Sequence, residues 1–71
     1  MIETEARLEG LQPYAIHGTR YYRVFYSLPD APETILSCQL PFDAIDETLR
    51  PGDAIVVTSL LSTVMGIRRA G

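Results

Sequence analysis

The chain has 71 residues, 46% of them hydrophobic, a formal net charge of −3 and a pI near 4.8. That length makes one domain, residues 1–71, and a domain this small hides only about 60% of the surface its unfolded chain exposes, so some apolar side chains are expected outside, where self-association would cover them. The acidic balance speaks against a protein whose main task is neutralising phosphates, all six basic residues are arginine, which excludes Schiff-base and phosphate-loop lysine chemistry, and a single cysteine excludes an internal disulfide.

Met1 to Glu5 lacks the basic and apolar blocks of a signal peptide, and no run approaches the ~20 apolar residues of a membrane span, so a cytoplasmic location is expected. Thr4 to Leu8 alternates, with Thr4, Ala6 and Leu8 on one side and Glu3, Glu5, Arg7 and Glu9 on the other, the pattern of a half-buried first strand. At Gly10 the phase slips, because Leu11 falls on the formerly polar side; a bulge or bend is expected there, with the strand continuing through Leu11. Pro13 rules out a central ladder position for the following residues. His17-Gly18-Thr19 supplies a turn. Arg20 to Leu28 is a second strand, rich in aromatics, and period two sets Tyr22, Val24, Tyr26 and Leu28 toward the core against Tyr21, Arg23, Phe25 and Ser27. Pro29 to Pro32 turns the chain, and Thr34 to Leu40 returns with Leu36, Cys38 and Leu40 inward.

Between Pro41 and Leu49 the period changes. Phe42, Ile45 and Leu49 are three and four apart, Asp43 is placed to cap, and Asp46 and Glu47 suit the first turn of a dipole, so a short helical plug is expected from Asp43 to Thr48. Arg50-Pro51-Gly52-Asp53 reads as a type II turn, since proline presets φ at its second position and glycine accepts positive φ at its third. Ala54 to Leu61 is then a strand covered on both faces, the expected central strand. Thr63 to Arg69 is the last, with Gly66 marking a bulge or a close backbone approach.

A three-strand meander, a helical segment and a two-strand hairpin make an all-β, five-stranded Greek-key barrel of OB-like type, with an SH3-like barrel as the alternative. The pattern Leu49, Gly52-Asp53, Ile55, Val57 resembles the lead-in to the fourth strand of many OB domains. In such domains oligonucleotides lie on the second and third strands, so the resemblance implies that any such ligand would meet Tyr21, Arg23 and Phe25.

The expected binding residues are Arg20, Tyr21, Arg23 and Phe25, with Arg68 and Arg69 at the end of the last strand as further cations. Rings interleaved with guanidinium groups suit protein hot spots, and also base stacking with phosphate contact. The expected function is a non-catalytic binding or assembly module acting on a protein partner or a second copy; the alternative is a single-stranded nucleic-acid binder. The contrary view of the same residues is that Phe25 and Tyr21 pack under the bent first strand while the arginines pair with carboxylates. His17 in an exposed loop and Cys38 on an apolar face lack the third partner of a catalytic set, and no enzyme activity, metal or cofactor is expected. Tyr14 is expected as a packed ring with its hydroxyl hydrogen-bonded.

Overall fold

Alternating β-branched and aromatic residues form five strands in the computed structural model, which describes residues Met1–Gly71: β1 (Ile2–Ile16), β2 (Thr19–Leu28), β3 (Ala31–Pro41), β4 (Ala54–Leu60) and β5 (Thr63–Arg69), with one 3-10 turn at Phe42–Ala44. They make one antiparallel sheet in the order β3-β2-β1-β4-β5. The all-β expectation holds. The sheet is not closed into a barrel, although the outer strands β3 and β5 bend round far enough to touch.

The first strand is longer than its alternation suggested and occupies the middle of the sheet, the place expected for β4. A bulge explains how one strand serves two partners. The register with β2 passes from Leu8–Tyr26 to Gly10–Phe25, leaving Glu9 unpaired. The extra residue puts Leu8 and Leu11 on the same side: Leu8 is fully buried and Leu11 packs against the core. Residues Ile2 to Arg7 pair with β4, whereas Arg7 to Ile16 pair with β2. Pro13 therefore lies opposite Tyr22 beyond the reach of β4, on an edge where a missing N–H breaks no ladder bond.

The Pro-Gly corner is held as its residues require. Gly52 has φ +99° and the Asp53 amide donates to the Arg50 carbonyl at 3.0 Å. Asp53 Oδ2 accepts from the Arg50 amide at 2.9 Å. The Gly52 amide also donates to the Leu8 carbonyl at 2.7 Å, and the Leu8 amide to the Asp53 carbonyl at 2.9 Å, so the corner is fastened to β1 beside its bulge. From there β4 runs inward, with Ile55, Val56 and Val57 buried and both of its edges paired. It stops at Leu60, one residue earlier than expected: Leu61 and Ser62 form the tight turn, at φ 51° and 68°, with Leu61 90% exposed.

The helical plug is corrected. Only the 3-10 turn Phe42–Ala44 forms; Pro41 stands at its cap position, no side chain caps it, and Ile45 is already extended. Asp46 is the local reason. Its Oδ1 accepts from the Thr48 amide at 2.8 Å and the Thr48 hydroxyl at 2.6 Å, a turn that competes with helix propagation. Ile45 instead bridges Ile67 of β5. Ile45 and Leu49 are buried as expected, whereas Phe42 is 38% exposed.

The core gathers Ala6, Leu8, Val24, Leu40, Ile45, Leu49, Ile55, Val57 and Ile67, drawn from every strand and the segment after β3. Tyr22, Tyr26 and Leu28 pack against it beside Val24, which confirms the inward set of β2. Ser27 is the exception. A register shift between Tyr26 and Leu28 buries it, and its hydroxyl donates to Glu9 Oε2 at 2.6 Å, so the two bulges are tied together. Gly66 meets both of its expectations: the register skips Met65, and a Cβ at Gly66 would stand 3.2 Å from the Ala44 carbonyl oxygen.

Candidate binding site

The His17-Gly18 turn, at φ 51° and 81°, sets the register of the hairpin above it: Ile16 with Thr19, Ala15 with Arg20, Tyr14 with Tyr21. Residues directly opposite on antiparallel strands share a face, so Tyr14 and Tyr21 meet on the side away from the core. Their rings stack with centroids 5.6 Å apart and planes 25° from parallel. Two residues along β2 the Arg23 guanidinium lies 5.5 Å from the Tyr14 centroid, and two further along Phe25 is half-buried, its ring 3.5 Å from where a Gly10 Cβ would stand. That separation is ordinary van der Waals contact, so Phe25 packs over β1 at the bulge without requiring glycine there.

Arg20 has the opposite parity and reaches the other way. Its guanidinium sits 4.1 Å from the centroid of Phe42, which the 3-10 turn presents beside the tip of the hairpin. Between hairpin and turn, on the Arg20 side, lies an open cavity of about 260 Å³ bordered by Pro13, Ala15, Tyr22 and Phe42, with Arg20 and Glu47 as its charged groups. The Tyr14 hydroxyl is buried without a hydrogen-bond partner, contrary to the expectation for that ring.

Two arginines at the other end of the molecule are held by carboxylates. Arg68 pairs with Glu3 at 3.1 Å and Arg69 with Asp53 at 3.1 Å, Arg69 also donating to the Thr48 hydroxyl at 3.1 Å. Arg50 donates to the carbonyls of Glu47 and Leu49. Arg20 and Arg23 pair with no carboxylate and lie instead against rings. Of the sequence-selected set, Arg20, Tyr21, Arg23 and Phe25 are thus gathered on one arm of the sheet. Arg68 and Arg69 are not brought to it; their partners hold the closing end of β5 to β1 and to the Pro-Gly corner. Thr48 and Arg50 lower the carboxyl ranges of Asp46 and Asp53 respectively: hydrogen bonds from the Thr48 side chain and amide act on the first, and the Arg50 amide, then Arg69, on the second.

Tyr14 and Phe42 were not selected from the sequence as site residues. A signal existed for Tyr14, because a turn confined to His17 and Gly18 places residue 14 opposite residue 21 by counting. None existed for Phe42, whose exposure follows from the helix that does not form. His17 occupies the exposed hairpin tip, and Cys38 lies opposite Val24 on the outer strand β3, half-buried, with its thiol pushed up by burial. Tyr26 is raised by the same burial and by the nearby Cys38 sulfur. His17 and Cys38 line no common cavity. No helix is long and apolar enough to cross a membrane. Compared with protein families, curated proteins and solved structures, the chain has no matching family model, curated relative or structural neighbour.

Proposed function

We propose that the chain is a non-catalytic binding and assembly module of OB-like architecture that docks a protein surface, a second copy included, on the arm carrying Tyr14, Tyr21, Arg23 and Phe25. The strand order β3-β2-β1-β4-β5, with a long bent β1 shared between two halves, supports the OB-like assignment over the SH3-like one. The observation that carries the function is the exposed Arg23 guanidinium, which pairs with no carboxylate and rests on the half-buried Tyr14 ring, with Arg20 held likewise over Phe42 on the other side of the hairpin. Arginine and tyrosine dominate the energetics of protein interfaces, and a guanidinium held by a ring keeps its donors free for a partner's carboxylates or carbonyls.

A protein partner is favoured over a nucleic acid by magnitude. Two cations on a chain of net charge −3 neutralise about two phosphates, which corresponds to a log–log salt slope of only about −1.4 on a single strand. The stacked tyrosine pair nevertheless supports single-stranded nucleic acid as the second reading, on the same arm. Gln12 lies opposite Arg23 on the docking side and is exposed. A photoreactive p-benzoylphenylalanine at Gln12, irradiated in the producing cell, is expected to yield a protein adduct that Arg23→Glu removes. Absence of any protein adduct at Gln12 sinks the docking reading; an adduct with nucleic acid alone selects the second.

A further inference from the structure

We propose that the outer face of β1, β2 and β3 binds an extended acidic peptide of a protein partner, with a carboxylate on Arg23 and an apolar side chain two positions to either side of it. The proposal rests on the protein-docking role of this arm. The two registers set the face out in rows across the strands: Tyr14, Tyr21 and Pro41; then Gln12, Arg23 and Gln39; then Gly10, Phe25 and Ser37. All of the middle row is exposed. Arg23 pairs with no carboxylate, and neither Gln12 nor Gln39 uses its amide within the chain. The chain has 9 acidic residues, yet none stands in these rows. Glu9 sits in the bulge past the Phe25 row, its Oε2 engaged by the Ser27 hydroxyl.

The Tyr14 ring backs the Arg23 guanidinium at 5.5 Å and leaves its N–H edge to solvent, the edge through which arginine takes a carboxylate by two parallel bonds. A carboxylate carries one charge, which one guanidinium matches. A phosphate monoester carries nearly two, and the neutral amides of Gln12 and Gln39 add no countercharge on a chain of net charge −3. Those amides lie one strand spacing, about 5 Å, to either side of Arg23. Each offers a donor and an acceptor to the peptide groups beside the acid. Along the strands, neighbouring rows are two residues apart, about 7 Å. An extended peptide lying along β2 repeats its same-side residues at that interval. An acid on Arg23 therefore brings the residues two before and two after it over Tyr21 and over Phe25. Both rings are half-buried and offer apolar surface to those positions.

The test selects random peptides displayed on phage against the full chain and against its Arg23→Glu variant, whose urea midpoint verifies that the fold is intact. Peptides recovered on the unchanged chain are expected to share Asp or Glu with apolar residues two positions away on each side. On Arg23→Glu the acidic position is expected to turn to Lys or Arg. In fluorescence anisotropy with the unchanged chain, a recovered peptide should bind about fivefold more weakly once its acid is replaced by the corresponding amide. The proposal is overturned by an uncharged or basic consensus on the unchanged chain, or by none. It is overturned equally by an acidic consensus that survives Arg23→Glu, or by an amide peptide that binds as tightly as the acid. Oligo(dT) binding that Arg23→Glu abolishes, with no acidic peptide recovered, would give the guanidinium to a phosphate instead. A protein adduct at Gln12 without an acidic consensus would leave the docking face standing and remove this ligand from it.

Discussion

Leu61 and Ser62 both hold positive φ, at 51° and 68°, in the turn joining β4 to β5. Side chains with a Cβ are costly there, and Asn-Gly is the pair that such hairpin turns favour. Leu61→Asn with Ser62→Gly is therefore expected to raise stability by about 1 kcal/mol, read as a higher urea midpoint; a lower midpoint would show that Leu61 makes a contact its 90% exposure conceals. The carboxyls of Asp46 and Asp53 are expected to show in the pH dependence. Hydrogen bonds to their ionised forms hold both below the ordinary range in the folded chain. Their contribution is complete above about pH 4, the unfolded carboxylate range, and is lost as pH falls through the lower folded values. Asp53→Asn should accordingly flatten the decline in urea midpoint between pH 7 and about pH 2 relative to the unchanged chain. An equally steep decline in the variant would mean that the bonds from Arg50 and Arg69 add nothing in solution.

At the scale of elements, the contact between the 3-10 turn and β5 is the tightest backbone approach at any glycine. Gly66→Ala places a methyl carbon 3.2 Å from the Ala44 carbonyl oxygen, and that carbonyl belongs to a segment already fixed by the bridge from Ile45 to Ile67. A loss of about 1 kcal/mol is expected, with faster hydrogen exchange at Ile67; unchanged exchange would show that the 42–45 segment yields freely. The bulge at Glu9, the facing of β2 and β3, and the span of β5 were all legible, because period-two alternation and the phase slip at Gly10 report directly on which side is buried. The segment after Pro41 was not. Its three-and-four spacing matches a helix, but Asp46 takes the Thr48 amide for its own turn, and a helix of one or two turns has no internal hydrogen bonding to spare against that competition. Phe42 is exposed beneath Arg20 as a consequence, and its part in the candidate site went unread with it.

For the whole molecule, a 71-residue domain has about 4–11 kcal/mol of stability. Ile55 is fully buried in β4, and Ile55→Ala is expected to remove about 2–5 kcal/mol, a large part of the total. A loss under about 1 kcal/mol would deny β4 its interior position. Apolar surface that one small core cannot cover is concentrated at the opposite end from the Pro-Gly corner: Ile2 pairs with Ser59, next to Leu60 and the turn at Leu61, and all three apolar side chains are exposed. Leu60→Ser with Leu61→Ser is expected to lower any concentration-dependent increase in mass seen by sedimentation. Equal masses for the Leu double variant and the unchanged chain would release this end from any part in association. The residues alone determined that the chain is all-β, that it has five strands in this order, which face of β2 is inward, and that the Pro-Gly corner launches a buried strand, though not that β1 runs on to Ile16 or that β3 begins at Ala31; each of these depends on neighbours within a few positions. Tertiary structure alone decided that β1 takes the middle of the sheet, that the sheet stops short of closing, that Arg68 and Arg69 are occupied by Glu3 and Asp53, and that Arg20 and Arg23 are not. Those outcomes depend on which distant strand lies alongside which, and local periodicity carries the facing of a side chain but not the identity of the group it will face.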